Sequence, residues 1–229
     1  KKWGIGFFKY ILLIINSFIS YKFSDKIITT SIEIKKFIKK TYSIKNEKII
    51  VIPNSLDVDK FKRFNKKKEK NRAINISRLE KQKNLFQLLK ICKLANLNLD
   101  IIGEGSQLNE LKRYAREIRV DVRFLGQINN DKLPKILSKY EIALMPYGNW
   151  VSGRLKKINL RNSMSPLKMF DYLASGNIII ASDLDVYKHI LKNNYNSILL
   201  NNSQTNLWCH WIDKIFISTK KYTYIKKNS

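Results

Sequence analysis

From Ala73 to Leu200, short apolar runs alternate with longer runs of helical periodicity, and no other feature of the chain restricts its fold as much. The apolar runs are "AINIS" (73–77), "LDIIG" (99–103), "VRFLG" (122–126), "IALMPY" (142–147), "NIIIA" (177–181) and "SILL" (197–200). Between them lie "NLFQLLKICKLA" (84–95), "QLNELKRYAREI" (107–118), "DKLPKILSKY" (131–140), a helix opening at Ser165 and a further helix after "NIIIA". Strand and helix units of this size predict an α/β fold with a doubly wound parallel sheet. A strand such as "NIIIA" suits burial on both faces. Ligands of such sheets bind at the carboxyl ends of the strands, so that edge is where chemistry is expected.

Four of those ends carry candidate groups. "AINIS" delivers Arg78, and Lys83 follows just before the next helix, so both charges fall on the ligand edge. "LDIIGEGS" contributes Gly103 and Gly105, a tight turn that could let backbone approach a ligand, with an ordinary turn as the alternative. "IALMPYGNW" opens a connection from Tyr147 to about Ser163, a length often used for function. It leads to "SPLKMFDYLASG", where Ser165 suits an N-cap and Pro166 the first helical position. Leu167 and Lys168 then present N–H groups without intrahelical partners, an anion site, and Gly176 ends the helix. Asp171 falls on the same helical face as Leu167, roughly 6 Å along the axis. A nucleotide's diphosphate and ribose have that spacing. The alternative is a capped helix with a Lys168–Asp171 surface pair.

The 229 residues hold 44 Lys and Arg against 18 Asp and Glu, a formal charge of +26 that points to anionic partners. Most of the excess is spread along the chain. Only "KFKRFNKKKEKNR" (Lys60–Arg72) is dense, and its lack of periodicity after a Pro-Asn-Ser turn predicts a linker over 56–72, between residues 1–55 and a domain at 73–229. A basic nucleic-acid binder would also explain the charge. With no aromatic RNA-binding signature and no zinc-ligand spacing, neither nucleic acid nor a metal is expected. Cys92 and Cys209 lie far apart in apolar helical segments and read as free thiols in a reducing cytoplasm. In "FFKYILLIINSFISY" the uninterrupted apolar core, Tyr10–Ile15, is far shorter than the ~20 residues a membrane span needs. A buried or interfacial helix is expected there, the latter in peripheral contact with an anionic membrane surface.

"IPNSLDVDKF", "ISRLEKQKNLFQLL", "LDIIGEGSQLNELK", "VRFLGQI" and "SPLKMFDYLASGNIIIASDL" together resemble, in order and spacing, the nucleotide-binding half of group 1 glycosyltransferases, family 4, with the GT-B fold. The resemblance covers roughly Ile28–Leu200. It implies a metal-independent, retaining transferase that moves sugar from a UDP- or GDP-linked donor, a substrate rather than a cofactor, to a saccharide or lipid-linked acceptor in polysaccharide or envelope glycan synthesis. Arg78 and Lys83 would be the catalytic cations on the diphosphate, Asp171 the ribose acid, and Gly103, Gly105, Ser165, Pro166, Leu167 and Lys168 further substrate contacts. This chain departs from the pattern at Ser163, where a first acid is expected, and at Asp171, which replaces the commoner glutamate. Asp185 and His189 likewise stand where proline and glutamate are frequent. The resemblance describes two Rossmann-like halves, whereas residues 1–55 supply one helix and one strand–helix–strand unit. The chain is therefore expected to be a fragment or a split-enzyme subunit, with a partner chain supplying the acceptor domain. A non-catalytic nucleotide-sugar-binding subunit is the alternative.

Overall fold

The structure, a computed structural model, describes residues 7–62, 64, 67–148 and 167–228. Among these residues the chain forms two compact units, 7–55 and the remainder.

The first unit runs α1 (Phe7–Phe23), β1 (Ile27–Thr29), α2 (Ile32–Tyr42) and β2 (Ile49–Val51). Ser31 caps α2, its Oγ accepting from the Ile34 amide at 3.2 Å, and Ser43 ends the helix in the left-handed region. β1 and β2 pair in parallel from Ile27 opposite Ile49 to Thr29 opposite Val51. The two-residue period turns Ile27 and Ile49 inward with Ile38 and Ile44, and leaves Ile28 and Ile50 exposed. Leu12, Leu13, Ile15, Phe18 and Ile19 of α1 are exposed as well. Among the described residues no helix is long and apolar enough to cross a membrane.

The second unit begins with α3 (Asp59–Lys62) and β3 (Arg72–Ile76), followed by α4 (Leu85–Leu94), β4 (Asn98–Ile102), α5 (Leu108–Glu117) and β5 (Val122–Phe124). Next come α6 (Leu133–Leu137), β6 (Ile142–Met145), α7 (Lys168–Ala174), β7 (Ile178–Ser182), β8 (Ser197–Leu200), α8 (Thr205–Ile217) and α9 (Thr223–Lys227). Six strands, among the described residues, form one parallel sheet in the order β5-β4-β3-β6-β7-β8. One face supplies Leu99, Ile101, Ile142, Leu144, Ile178, Ile180 and Ile198 to a core shared with Leu88, Trp208 and Ile212 of α4 and α8. On the other, α6 and α7 pack together and α7 lies against β7. The sheet is doubly wound, as the alternation predicts.

The strand order reverses between β3 and β6, so the crevice of this fold opens where those two strands end, at Ile76 and Met145. At the opposite edge Arg72 donates to the buried Asp100 at 2.7 Å, joined by Arg123 at 2.9 Å and the Tyr140 hydroxyl. A buried carboxylate with this many donors ties β3, β4 and β5 together at the end away from the crevice.

Two expectations change. The basic stretch 56–72, expected as a linker, groups with the second unit: Phe61 is buried, Lys68 donates to the Tyr140 carbonyl at 3.0 Å, and Arg72 opens β3. In place of the helix expected after β7 there is a 3₁₀ turn, Asp185–Tyr187, and an asparagine-rich turn. Asn196 accepts from the Lys192 amide at 2.7 Å and donates to the Ile190 carbonyl at 2.9 Å, while Asn193 accepts from the Leu199 amide at 2.9 Å. These side chains take backbone partners that a helix would need.

Candidate functional site

Arg78 sits just beyond β3, exposed, and among the described residues no hydrogen bond or ion pair holds its guanidinium. Its backbone is fixed. The Ser77 amide donates to the Ile102 carbonyl at 2.9 Å, the Leu79 amide to the Glu104 carbonyl at 2.8 Å, and the Gln107 amide to the Leu79 carbonyl at 3.0 Å. Gly103 and Gly105 make this possible: a Cβ at Gly103 would lie 2.1 Å from the Ser77 carbonyl oxygen, and one at Gly105 would lie 2.5 Å from that of Leu79. The space these glycines leave is thus filled by the chain's own Ser77–Leu79 backbone, and they act on the site by holding the turn that carries Arg78.

Lys83 ends the 3₁₀ turn Lys81–Lys83 ahead of α4. Its ammonium donates to the Tyr147 hydroxyl at 2.8 Å and lies 4.2 Å from the centroid of that ring. Burial, with Arg78 nearby, lowers its pKa to about 8. Tyr147 itself stands just past β6, nearly buried. Burial pushes its phenol up to about 12, opposed by Arg78. The Gly148 amide reaches the Gln82 carbonyl at 3.4 Å, so the backbone after β6 is joined to the Lys83 turn.

The third cation comes from α7. Lys168 donates to the Ile76 carbonyl at 2.6 Å and lies 5.1 Å from the Tyr147 centroid. Burial, then repulsion from Lys83, holds its ammonium well below the ordinary lysine range. The bond to Ile76 replaces the Lys168–Asp171 surface pair. Behind it the fully buried Tyr172 accepts from the Ile76 amide at 2.6 Å, so both polar groups of Ile76 tie α7 to the end of β3. Leu167 is exposed at the start of α7, where the first helical bond runs from the Phe170 amide to the Leu167 carbonyl at 2.9 Å. Asp171 follows on the same helix, half-buried, with no hydrogen bond or ion pair to its carboxylate among the described residues. Burial raises it to about 6. Ser165 and Pro166, and Ser163 before them, lie outside the described residues.

The structure therefore gathers Lys83, Lys168 and Tyr147 at the strand-order reversal, with Arg78 near enough to act on Lys83 and Tyr147. Three cations converge with no acid among the groups acting on Lys83 or Lys168. Such an arrangement receives an anion with several oxygens. Sequence reading did not single out Tyr147 or Tyr172 as functional. Tyr147 carries a signal, its place at the end of the strand run "IALMPY", whereas Tyr172 reads as an ordinary core position of its helix. Among the described residues no three His, Cys, Asp or Glu side chains come together as a metal site. Cys92, buried, and Cys209, half-buried, are free thiols.

Residues 57–229 match the family model for glycosyl transferases group 1. The O-antigen chain mannosyltransferase RfbU of Salmonella typhimurium (strain LT2) is 26% identical over 179 residues, 76% of this chain and 46% of that protein. The chain thus spans about half the length of the curated relative it matches. Among solved structures, Anabaena Alr3699/HepE in complex with UDP aligns with a TM-score of 0.74 at 15% identity, over 99% of this chain and 64% of its own. A point mutant of S. aureus TarM in complex with Fondaparinux, alpha-GlcNAc-glycerol and UDP aligns at 0.73 and 15%, over 92% and 40%. At these identities the likeness concerns the fold.

Proposed function

The chain belongs to the group 1 glycosyltransferases, and from that premise we propose that its second unit holds the nucleotide-sugar donor of a glycosyl transfer to a saccharide or lipid-linked acceptor, in polysaccharide or envelope glycan synthesis. The observation that carries this reading is the convergence of Arg78, Lys83 and Lys168 where the sheet order reverses, with no acid acting on either lysine. The likeness to an O-antigen mannosyltransferase supports the acceptor class.

As the bond from sugar to diphosphate breaks, negative charge grows on the leaving phosphate. Arg78 and Lys83 are already in place to stabilise it more strongly than the ground state, without a metal. Asp171 receives the ribose hydroxyls, and retention of anomeric configuration follows from attack on the face the diphosphate leaves. Charge-assisted hydrogen bonds of this kind contribute about 1.5–3 kcal/mol each. Arg78→Ala and Lys83→Ala are therefore each expected to weaken UDP or GDP binding about ten- to a hundredfold in calorimetry, with the far-ultraviolet circular dichroism unchanged. Unaltered affinity in both variants overturns the assignment.

Transfer itself needs an acceptor side, which we place on a partner chain or domain. Turnover by the 229-residue chain alone would overturn that placement. A second reading adds an anionic membrane surface in the reducing cytoplasm. Residues 1–55 hold eleven lysines against three acids, and α1 exposes Leu12, Leu13, Phe18 and Ile19. Vesicles of anionic lipid should retain the chain at low salt, and neutral vesicles should not.

A further inference from the structure

Tyr147 is held from three directions. Its amide donates to the Ser182 Oγ at 2.7 Å, its ring meets Tyr187 edge-on with centroids 6.2 Å apart, and its hydroxyl accepts from Lys83 at 2.8 Å. A phenol so fixed is a platform. Two ammonium groups gather on it, Lys83 at 4.2 Å and Lys168 at 5.1 Å from the ring centroid. The negative face of the ring and the hydroxyl lone pair offset part of the repulsion and lost hydration of two neighbouring cations.

We propose that Tyr147 is a positioning residue for the diphosphate: its ring carries the Lys83 and Lys168 ammonium groups, and its hydroxyl holds Lys83 in place until phosphate oxygens replace it. This rests on the reading that the site takes a nucleoside diphosphate. Sugar, base and acceptor do not enter the argument, so any ligand with a diphosphate engages the same device.

The device has a pH signature. Lys83 is faced by Arg78 beyond β3, Tyr147 beyond β6 and Lys168 on α7, and Tyr147 is faced in addition by Tyr172 and Tyr187. None is a carboxylate, so in the empty site the hydroxyl is the acceptor that favours charged Lys83. Lys83 titrates at about 8. Diphosphate binding requires its charged form, so affinity declines as pH rises through that value, and binding there takes up a proton. Removing the hydroxyl destabilises the charged form and moves the decline to lower pH.

Calorimetric titration of the whole chain with UDP, from pH 6.5 to 9 and in buffers of differing ionisation enthalpy, tests this. In Tyr147→Phe the decline should begin about half to one pH unit lower, so that affinity falls about two- to fivefold near pH 8 and about three- to tenfold near pH 9, and stays close to wild type at pH 6.5. Tyr147→Leu, which also removes the ring, should weaken binding at every pH. A second readout uses the unaltered protein: inorganic pyrophosphate, transparent in the tyrosine band, should give a tyrosine difference spectrum on binding. Tyr147→Phe with the wild-type pH profile, uniform weakening across the whole range, or a flat difference spectrum overturns the role of Tyr147. Failure of the unaltered chain to bind either UDP or pyrophosphate overturns the underlying reading instead.

Discussion

The charged form of Asp171 is disfavoured by its burial in the fold. A half-buried carboxylate with no partner among the described residues, its pKa raised from 3.8 to about 6, is a group the folded state prefers protonated. The folded chain holds that proton through a pH range where the unfolded chain releases it, so stability declines as pH rises from about 4 to 6 and the full penalty applies above. With allowance for the solvent that reaches the group, the penalty at neutral pH is about 1–2 kcal/mol. Asp171→Asn is therefore expected to raise stability by about that amount at pH 7 and to leave it unchanged near pH 3.5, in urea unfolding followed by circular dichroism. The same variant should weaken UDP binding, because the amide lacks the charged acceptor for a hydroxyl, and leave pyrophosphate binding intact. Equal loss for both ligands would separate Asp171 from ribose. The offset of Asp171 from Leu167 is legible in the sequence, since helical geometry alone fixes it. Its burial is not, because that depends on what packs beside α7.

The same division between near and far in sequence holds for the elements. The six strands of the second unit fall where apolar runs predict them, most clearly at the buried central strands β6 and β7, because a strand covered on both faces is predominantly apolar. The turn after β7 escaped because asparagines compete for backbone partners, which periodicity does not register. The purpose of "GEG" was hidden for a different reason. Gly103 adopts φ +126° and admits the Ser77 carbonyl from a turn some twenty-five residues earlier, a pairing that only the finished sheet creates. Tyr147 shares that origin, since its partners arrive from the Lys81–Lys83 turn, α7, β7 and the Asp185–Tyr187 turn. Gly103→Ala is expected to destabilise the fold by about 3 kcal/mol or more, through both the contact and the disfavoured φ. UDP affinity should fall with it even at temperatures where the variant remains folded, because the turn displaced is the one that carries Arg78. Wild-type stability in Gly103→Ala would show that the Ser77–Leu79 turn tolerates displacement.

On the scale of the whole molecule, the two units are stabilised very unequally. The second encloses a continuous core running from Ala73 to Ile225, with Trp208 and Leu88 among its fully buried members, under helices on both faces of the sheet. The first buries Ile27, Ile38, Ile44 and Ile49, while Phe23 and Ile28 remain 81% and 66% exposed. Among the described residues, a two-stranded parallel sheet over four buried isoleucines offsets little of the ~1–2 kcal/mol per residue that ordering a backbone costs. Among the described residues the boundary between the units falls at Ser55, ahead of the basic run, and Phe61, Lys68 and Arg72 of that run belong to the second unit's packing. A chain cut at residue 72, where composition alone marks the end of a linker, would lose those contacts, and one cut at Leu56 would keep them. Residues 56–229 alone are thus expected to unfold cooperatively, to melt within a few degrees of the whole chain, and to bind UDP with unchanged affinity. Residues 73–229 should melt lower, and residues 1–55 should show no cooperative transition. Calorimetry on the three fragments decides it: if 56–229 lacks a transition of its own, the donor site depends on the first unit and the division of labour proposed for this chain is wrong.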